Sequence, residues 1–325
     1  MFLMRFDMRA PAFSSAPPAE LYAAALEMAE WGEKNGCMQI VVSEHHGSED
    51  GYLPSPLVLA SAIAARTKSI PIQLAALIVP LHDPLRLAED MAVLDILSGG
   101  RVSYVTAVGY VEAEFEMFDR SFRGRGKRMD HCLTAMHSAW TGEPFEFEGR
   151  SVRVAPKPLT PGGPALLMGG NSLQAARRAA HFDMGLLAQG LNPDIEETYR
   201  SECEKLGKPP GLCINPPPQT VTSAFVAEDV DRAWSEFGPH LLHDAQAYAR
   251  WMTRGTSLTT TAAASVEELR AQQNSYQIFS VDEAVDYVKQ NGLFLTHPLC
   301  GGLPPKLAWP SLELLASEVL PRTRG

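Results

Sequence analysis

The sequence predicts an α/β protein, a (β/α)8 TIM barrel with insertion segments, and three observations lead there. Short continuous apolar runs alternate with amphipathic stretches along the chain, the mark of a parallel sheet covered by helices on both faces. Eight strand-then-helix units can be counted, and 325 residues accommodate eight units plus a few insertions. The rival arrangement, an open doubly wound sheet, needs a glycine-rich turn after its first strand. Here that segment is Arg9-Ala10-Pro11-Ala12-Phe13-Ser14. Residues 1–325 are therefore read as a single barrel domain.

The first apolar run, residues 2–8, precedes a helix over 18–34 in which Leu21, Ala25 and Met28 share one face and Gly36 supplies the stop. Residues 38–43 give the second strand. Ser55-Pro56 then opens a helix, with an N-cap followed by proline at the first helical position. After the third run, 70–79, Asp83-Pro84 repeats that start signal. Leu87, Met91 and Leu94 form the inner stripe of this helix, and Gly99-Gly100 ends it. The β-branched run 102–108 is the fourth strand, and the chain is helical from Arg123 to Trp140. Residues 145–154 alternate around Gly149 and read as a hairpin insertion. Strands at 165–168, 184–188, 221–226 and 293–295 complete the eight. Their helices lie at 172–180, at 194–206, from 229 onward and at 311–320, and the Pro-rich stretches 156–164 and 209–218 are connectors.

Composition narrows the function. Acidic residues number 38 against 28 basic ones, a formal charge of −10, and no basic face is readable, so phosphate repulsion argues against nucleic-acid binding. The five cysteines are odd in number and at least ten residues apart, which fits neither a disulfide framework nor a cysteine zinc site. Pro, Arg, Asp or His interrupts every apolar run before it reaches membrane-spanning length. The N-terminus carries an acid at Asp7 and reads as a buried strand, not a signal peptide. The expectation is a cytoplasmic protein with no membrane segment.

In such a barrel the site lies at the C-terminal ends of the strands. Those ends carry Asp7 and Arg9, Ser43-Glu44-His45-His46, residues 75–79, Val108-Gly109-Tyr110, Gly169-Gly170-Asn171-Ser172, Gln189, and Thr296-His297. Most are small or polar, which leaves room for a flat ligand. Glu44-His45-His46 is the most polar cluster on a strand end. Its imidazoles titrate near neutral pH and suit general acid/base work, or else they hydrogen-bond loop backbone. No H-E-x-x-H or similar spacing offers a metal triad, and no metal is expected. Gly169-Gly170-Asn171-Ser172 leads into a helix whose first amides could meet an anion, or could simply form a capped turn. Residues 120–128 hold five basic side chains in nine, read as a solvated loop and helix start or as a seat for an anionic cofactor tail. Neither G-x-S-x-G nor a Walker loop is present to support hydrolase or NTPase chemistry.

The stretch Val42-Ser43-Glu44-His45-His46-Gly47, continuing through Leu53-Pro54-Ser55-Pro56, resembles the luciferase-like monooxygenase superfamily. So do the blocks 64–70, 79–90 and 94–101, in family order and spacing. Weaker similarity extends through 140–145, the Gly169-Gly170 turn and Val319-Leu320-Pro321. The resemblance implies a flavin-dependent oxidoreductase or monooxygenase that uses reduced FMN and O2 on a small organic substrate. The alternative it implies is hydride transfer with coenzyme F420. It also implies a separate flavin or F420 reductase and a homodimer formed through the helices at 55–66 and 84–97. The superfamily also includes non-catalytic partner chains.

Carried over by position, His45 matches the catalytic histidine, flanked by Glu44 and His46. Ala75-Ala76 matches a third-strand pair that forms a non-prolyl cis peptide behind the isoalloxazine ring. Gly169, Gly170, Asn171 and Ser172 match the turn at the cofactor phosphate, and Val108, Gly109 and Tyr110 the end of the fourth strand. One departure is clear: many members carry Arg where this chain has Val108, so phosphate binding must rest on backbone amides or on another base such as Arg123 or Arg177. Segments 110–125, 143–162 and 240–280 are read as the loops around a partly apolar substrate.

Overall fold

The structure is a computed structural model that describes residues 1–189, 192–217, 219–252 and 258–323. The chain forms two compact units, Met1–Pro54 with Pro217–Gly325, and Ser55–Pro216. In chain order the first unit opens with β1 (Phe2–Phe6), α1 (Pro18–Lys34) and β2 (Cys37–Val42). The second unit begins with α2 (Pro56–Arg66), β3 (Ile72–Ile78), α3 (Pro84–Ser98), β4 (Val102–Ala107), α4 (Glu112–Met117) and α5 (Arg125–Trp140). It continues with β5 (Phe145–Phe147), β6 (Arg150–Val152), β7 (Ala165–Gly169), α6 (Leu173–His181), β8 (Gly185–Leu187), α7 (Ile195–Lys205) and β9 (Cys213–Ile214). The chain then returns to the first unit with β10 (Ser223–Val226), α8 (Val230–Trp251), α9 (Val266–Ala271) and β11 (Tyr276–Phe279). It closes with α10 (Val281–Asn291), β12 (Phe294–Thr296) and α11 (Pro305–Leu314).

In the first unit the strand order is β11-β10-β12-β1-β2, and every pair is parallel. Phe2, Met4 and Phe6 of β1 are fully buried, as are Leu21, Ala25 and Met28, the stripe expected on α1. Burying each large apolar side chain stabilises by about 1.5–3 kcal/mol, so this seam fixes β1 in its register.

The second unit orders its strands β3-β4-β7-β8-β9, again all parallel, and the hairpin β5-β6 stands apart as the expected insertion. Its local signals act as the sequence predicts. The Asp83 carboxylate accepts from the amides of Leu85 and Arg86 at the start of α3, and Gly99 closes that helix with φ 67°. Leu87, Met91 and Leu94 are buried. The Arg101 guanidinium donates to the carbonyls of Ala64, Thr67, Ile70 and Ser98, tying the end of α2 to the end of α3.

Several expectations are corrected. Segment 240–280 is not one loop: residues 240–251 continue α8, and α9 and β11 follow. Residues 253–257 of that segment lie outside the described residues. Helix α8 runs through Pro239, which removes one backbone donor but leaves the flanking turns intact, held by buried Trp234, Phe237, Leu241 and Tyr248. A strand–helix pair absent from the count of eight, β11 with α10, lies beside β10. Of the connector at 209–218, residues 213–214 form β9, and Pro218 lies outside the described residues. Helix α11 starts at Pro305, six residues before the expected Ser311, because Pro304-Pro305 provides the entry. All five cysteines are unpaired. Among the described residues no helix is long and apolar enough to cross a membrane.

Candidate active site

At the end of β1 the chain turns through Met8, which adopts a left-handed conformation with φ 62°. The turn leaves Asp7 and Arg9 both fully buried. The Arg9 guanidinium donates through Nε to Asp244 Oδ1 at 2.9 Å and through Nη1 to Asp50 Oδ2 at 2.6 Å. Its Nε also lies 3.4 Å from Asp7 Oδ2. The second oxygen of Asp244 accepts from the Tyr276 hydroxyl at 2.9 Å. Asp50 also accepts from Ser48 and pairs with His243 Nε2 at 2.7 Å, and Asp7 lies 3.3 Å from His297 Nε2. One arginine thus gathers three carboxylates from three parts of the first unit.

The network fixes the loop after β2. The Leu53 amide donates to the Asp7 carbonyl, Ala10 to Asp50, and His45 to Leu53, so residues 45–53 fold back onto the end of β1. Tyr52 completes the anchor with a hydroxyl contact of 2.8 Å to Tyr248 on α8. His45 is only 6% exposed and lies against Trp251 with ring centroids 4.2 Å apart and planes 31° from parallel. Tyr52 meets the same imidazole edge-on at 4.9 Å. Beside it, His46 Nε2 and Glu44 Oε1 pair at 2.9 Å. Of the predicted triplet, Glu44 and His46 engage each other, and His45 stands in an aromatic setting.

The ionisation states follow from this packing. Burial alone would raise the Asp50 carboxyl, but the His243 hydrogen bond and the Arg9 charge outweigh it and hold Asp50 well below the usual carboxylate range. Asp7 is likewise held low, by His297 and Arg9 against burial. Burial raises the Tyr52 and Tyr276 hydroxyls well above their ordinary value, keeping both protonated. Among the described residues one set of possible metal donors converges, Asp244, His297 and Cys300, within 4.8 Å of one another. Arg9 and Arg5 already face Asp244, and burial pushes the Cys300 thiol well up, so the set favours a neutral thiol and a guanidinium-paired carboxylate.

The second unit carries the other predicted residues. The Ala75–Ala76 peptide is cis, and the β3–β4 register steps between Ala75 and Leu77. Ala75, Ala76 and Val108 are half-buried and Tyr110 is exposed. Gly109 has φ 77°, and a Cβ there would lie 2.8 Å from the Phe115 ring and 2.9 Å from Ile78, so only glycine fits. After β7, Gly170 has φ 139° and its amide donates to the Leu187 carbonyl. Ser172 caps α6 by accepting from the Ala175 amide, and Asn171 Oδ1 accepts from the Gln189 amide at 2.6 Å. The turn is thus a capped turn and a helix start at once. The amides of Leu173 and Gln174 lie at its open end.

The basic run resolves into two braces and an exposed remainder. Arg125 donates to the carbonyls of Gly109 and Phe122, and Arg128 to those of Pro80 and His82. Arg123 and Arg177, named as stand-ins for a strand-end arginine, are exposed. Sequence reasoning missed Asp50, Tyr52, Asp244, Tyr248 and Trp251. Asp50 and Tyr52 stand within a few residues of the histidine motif, but nothing in the sequence marks residues 244–251 as their partners.

Comparison with known proteins identifies the family and the fold. A model of the luciferase-like monooxygenase family matches residues 4–288. The oxygenase component of flavin-dependent trigonelline monooxygenase from Acinetobacter baylyi is 24% identical over 57% of this chain and 55% of its own length, so the chain spans about half of that relative. The 4-hydroxyprotoasukamycin monooxygenase of Streptomyces nodosus subsp. asukaensis is 24% identical over 92% of this chain and 86% of its own. Two solved structures share the fold. The oxygenating constituent of 3,6-diketocamphane monooxygenase from Pseudomonas putida, in complex with FMN, has a TM-score of 0.71 at 17% identity, covering 99% of this chain and 98% of that one. An F420-dependent secondary alcohol dehydrogenase in complex with an F420-acetone adduct has a TM-score of 0.67 at 14% identity, covering 99% of both.

Proposed function

We propose a function from one premise: the chain belongs to the luciferase-like monooxygenase family, and it is an enzyme. The reading is a flavin-dependent monooxygenase that uses reduced FMN and O2 on a small organic substrate, with His45 as the group that holds and moves the proton. When bound, reduced FMN would supply two electrons to O2, so that one oxygen atom enters the substrate and the other leaves as water. The observation that carries this reading is the setting of His45. An imidazole only 6% exposed at a strand end, walled by Trp251 and Tyr52, can pass a proton from a ring nitrogen while its surroundings exclude water. Glu44 and His46 support the strand end as an internally paired unit.

The small, half-buried side chains of Ala75 and Ala76 at β3 support a seat for a flat ring in the second unit. The start of α6 fits its phosphate through the amides of Leu173 and Gln174, beside Gly169, Gly170, Asn171 and Ser172. Coenzyme F420 is the second reading, favoured by Val108 where many FMN users carry Arg. There His45 would hold the proton released or taken up as hydride moves between substrate and deazaflavin. In either case a separate reductase would supply the reduced cofactor. Exposed apolar Val58 on α2 and Val93, Ile96 and Leu97 on α3 support pairing of two copies through these helices.

The deciding experiment titrates the apoprotein with FMN and F420, each oxidised and reduced, then follows O2 consumption with the reduced cofactor that binds. Tight binding of reduced FMN with substrate-dependent oxygen uptake is expected. Binding of F420 alone, with no oxygen uptake, moves the reading to hydride transfer. Binding of neither sinks both.

A further inference from the structure

Three aromatic rings of the first unit, Tyr52, Tyr248 and Trp251, pack at mutual centroid distances of 5.7–6.3 Å. Two basic groups share them. The Arg9 guanidinium carbon lies 4.5 Å from the Tyr52 centroid and 4.7 Å from that of Trp251. Of these three rings Trp251 lies nearest to His45, at 4.2 Å and 31°, whereas Tyr52 and Tyr248 meet it edge-on. At this separation, tilted 31° from parallel, the imidazole lies against the indole ring, and an indole face is the best neutral partner for a cation.

The charged groups of this part of the first unit are engaged with one another. The Arg9 charge is largely matched by Asp7, Asp50 and Asp244, while Glu44 is engaged with His46. The Tyr52 and Tyr248 hydroxyls bond each other and stay protonated. Within the first unit, Trp251 is the ring whose face meets His45. We propose that Trp251 is a positioning residue for His45: its indole face sets the imidazole plane and stabilises the protonated ring, keeping it able to donate a proton in a dry site. The inference deepens the reading of His45 above and rests on it for its functional meaning, but its physical content concerns the apoprotein alone.

The test is histidine-labelled NMR of the full chain without cofactor, with the His45 signal identified by its loss in His45→Gln. In the wild type the His45 ring proton should lie upfield of the other histidines, shifted by the indole ring current. Trp251→Leu, which keeps an apolar cover but removes the π face, should return that signal to the ordinary position. It should also lower the His45 titration midpoint by roughly half to one pH unit, whereas Trp251→Phe should stay close to the wild type. An unshifted wild-type signal, or equal midpoints in the Leu and Phe variants, overturns the proposal. Should Trp251→Leu fail to fold, indole emission decides. Wild-type fluorescence should fall as His45 protonates, and His45→Gln should abolish that step; a pH-independent emission again overturns it. Neither measurement depends on cofactor binding or turnover, so failure of the monooxygenase reading and failure of this one are distinguishable.

Discussion

The strand ends of the two units solve different problems. In the first, β1, β2 and β12 end in Asp7 and Arg9, Glu44 and His45, and His297, every one of them buried and most of them ionisable groups held in pairs. In the second, β3, β4 and β7 end in Ala75-Ala76, Val108-Gly109 and Gly169-Gly170, with no charged side chain among them. On the proposed reading, proton transfer needs titratable groups whose geometry is over-determined, which the Arg9 network and the aromatic wall would supply. A flat, anionic cofactor would need small side chains and a helix start, which β3 and α6 offer. On this view substitutions in the first unit should change chemistry and stability, and those in the second should change cofactor affinity.

His45→Gln gives the largest effect. Removing a positioned acid/base group should lower turnover by roughly 10²–10⁴-fold while cofactor affinity changes little, read by steady-state rates beside a cofactor titration. Wild-type turnover would break the comparison at its centre. It would also revive the non-catalytic subunit that the superfamily allows.

Arg9→Met comes next. It removes the cation shared by three buried carboxylates, leaving His297 near Asp7, His243 on Asp50 and Arg5 near Asp244, and breaking a buried pair costs about 3–5 kcal/mol, read as a drop in the urea midpoint. The pH dependence has a definite sign. Asp7 and Asp50 are held below their unfolded values, so their contribution is fully present above the unfolded carboxylate range near pH 4. It is lost as pH falls through the lowered folded values. Stability of the wild type should therefore be flat from neutrality to about pH 4 and decline below it. In Arg9→Met the decline should be smaller, because Asp7 and Asp50 lose one of the charges that hold them below their unfolded values.

How much of this could be read in advance depended on range. Signals confined to a few residues were legible: Asp83-Pro84 and Gly99 bound α3, and the alternation around Gly149 makes the hairpin. The α/β reading rests on such local patterns. His45 was marked by its neighbours in the chain's most polar strand end, but its stacking partner Trp251 lies far along the chain, on a helix that the sequence obscured with Pro239. The Tyr52–Tyr248 contact spans 196 residues. Strand β11 escaped because Tyr276-Gln277-Ile278-Phe279 is too short to show a period and follows a polar stretch. Long-range partners become visible only once parallel pairing sets which strand ends are neighbours.

Gly170→Val tests the second unit. A β-branched residue at φ 139° is strained whatever space is available, and its Cβ would lie 3.3 Å from the Ala175 Cβ at the start of α6. The distorted turn should misplace the amides of Leu173 and Gln174. Losing one charge-assisted hydrogen bond to the phosphate costs about 1.5–3 kcal/mol, so affinity should fall roughly ten- to a hundredfold. Unfolding midpoints serve as the control, since loss of binding at unchanged stability is what the comparison requires. Binding equal to wild type would place the phosphate elsewhere, most simply against the exposed arginines of the 120–128 run.

Val108→Arg is the smallest effect and the sharpest. Val108 is half-buried at the end of β4, followed by Gly109, whose carbonyl is already engaged by Arg125. An arginine at this position would add a permanent positive charge to strand ends that now carry none. If the phosphate is held mainly by the start of α6, the added guanidinium supplies one further charge-assisted contact in a partly solvated place. Such a contact is worth about 1 kcal/mol, a gain of roughly fivefold in FMN affinity. The gain should shrink as salt rises, because an exposed charge pair is screened over about 10 Å at 0.1 M ionic strength. Parallel titrations with riboflavin, which has no phosphate, isolate the effect: its affinity should not change. A gain for riboflavin as large as that for FMN would mean that the introduced guanidinium packs on the ring, and that the second unit recognises its cofactor by shape alone.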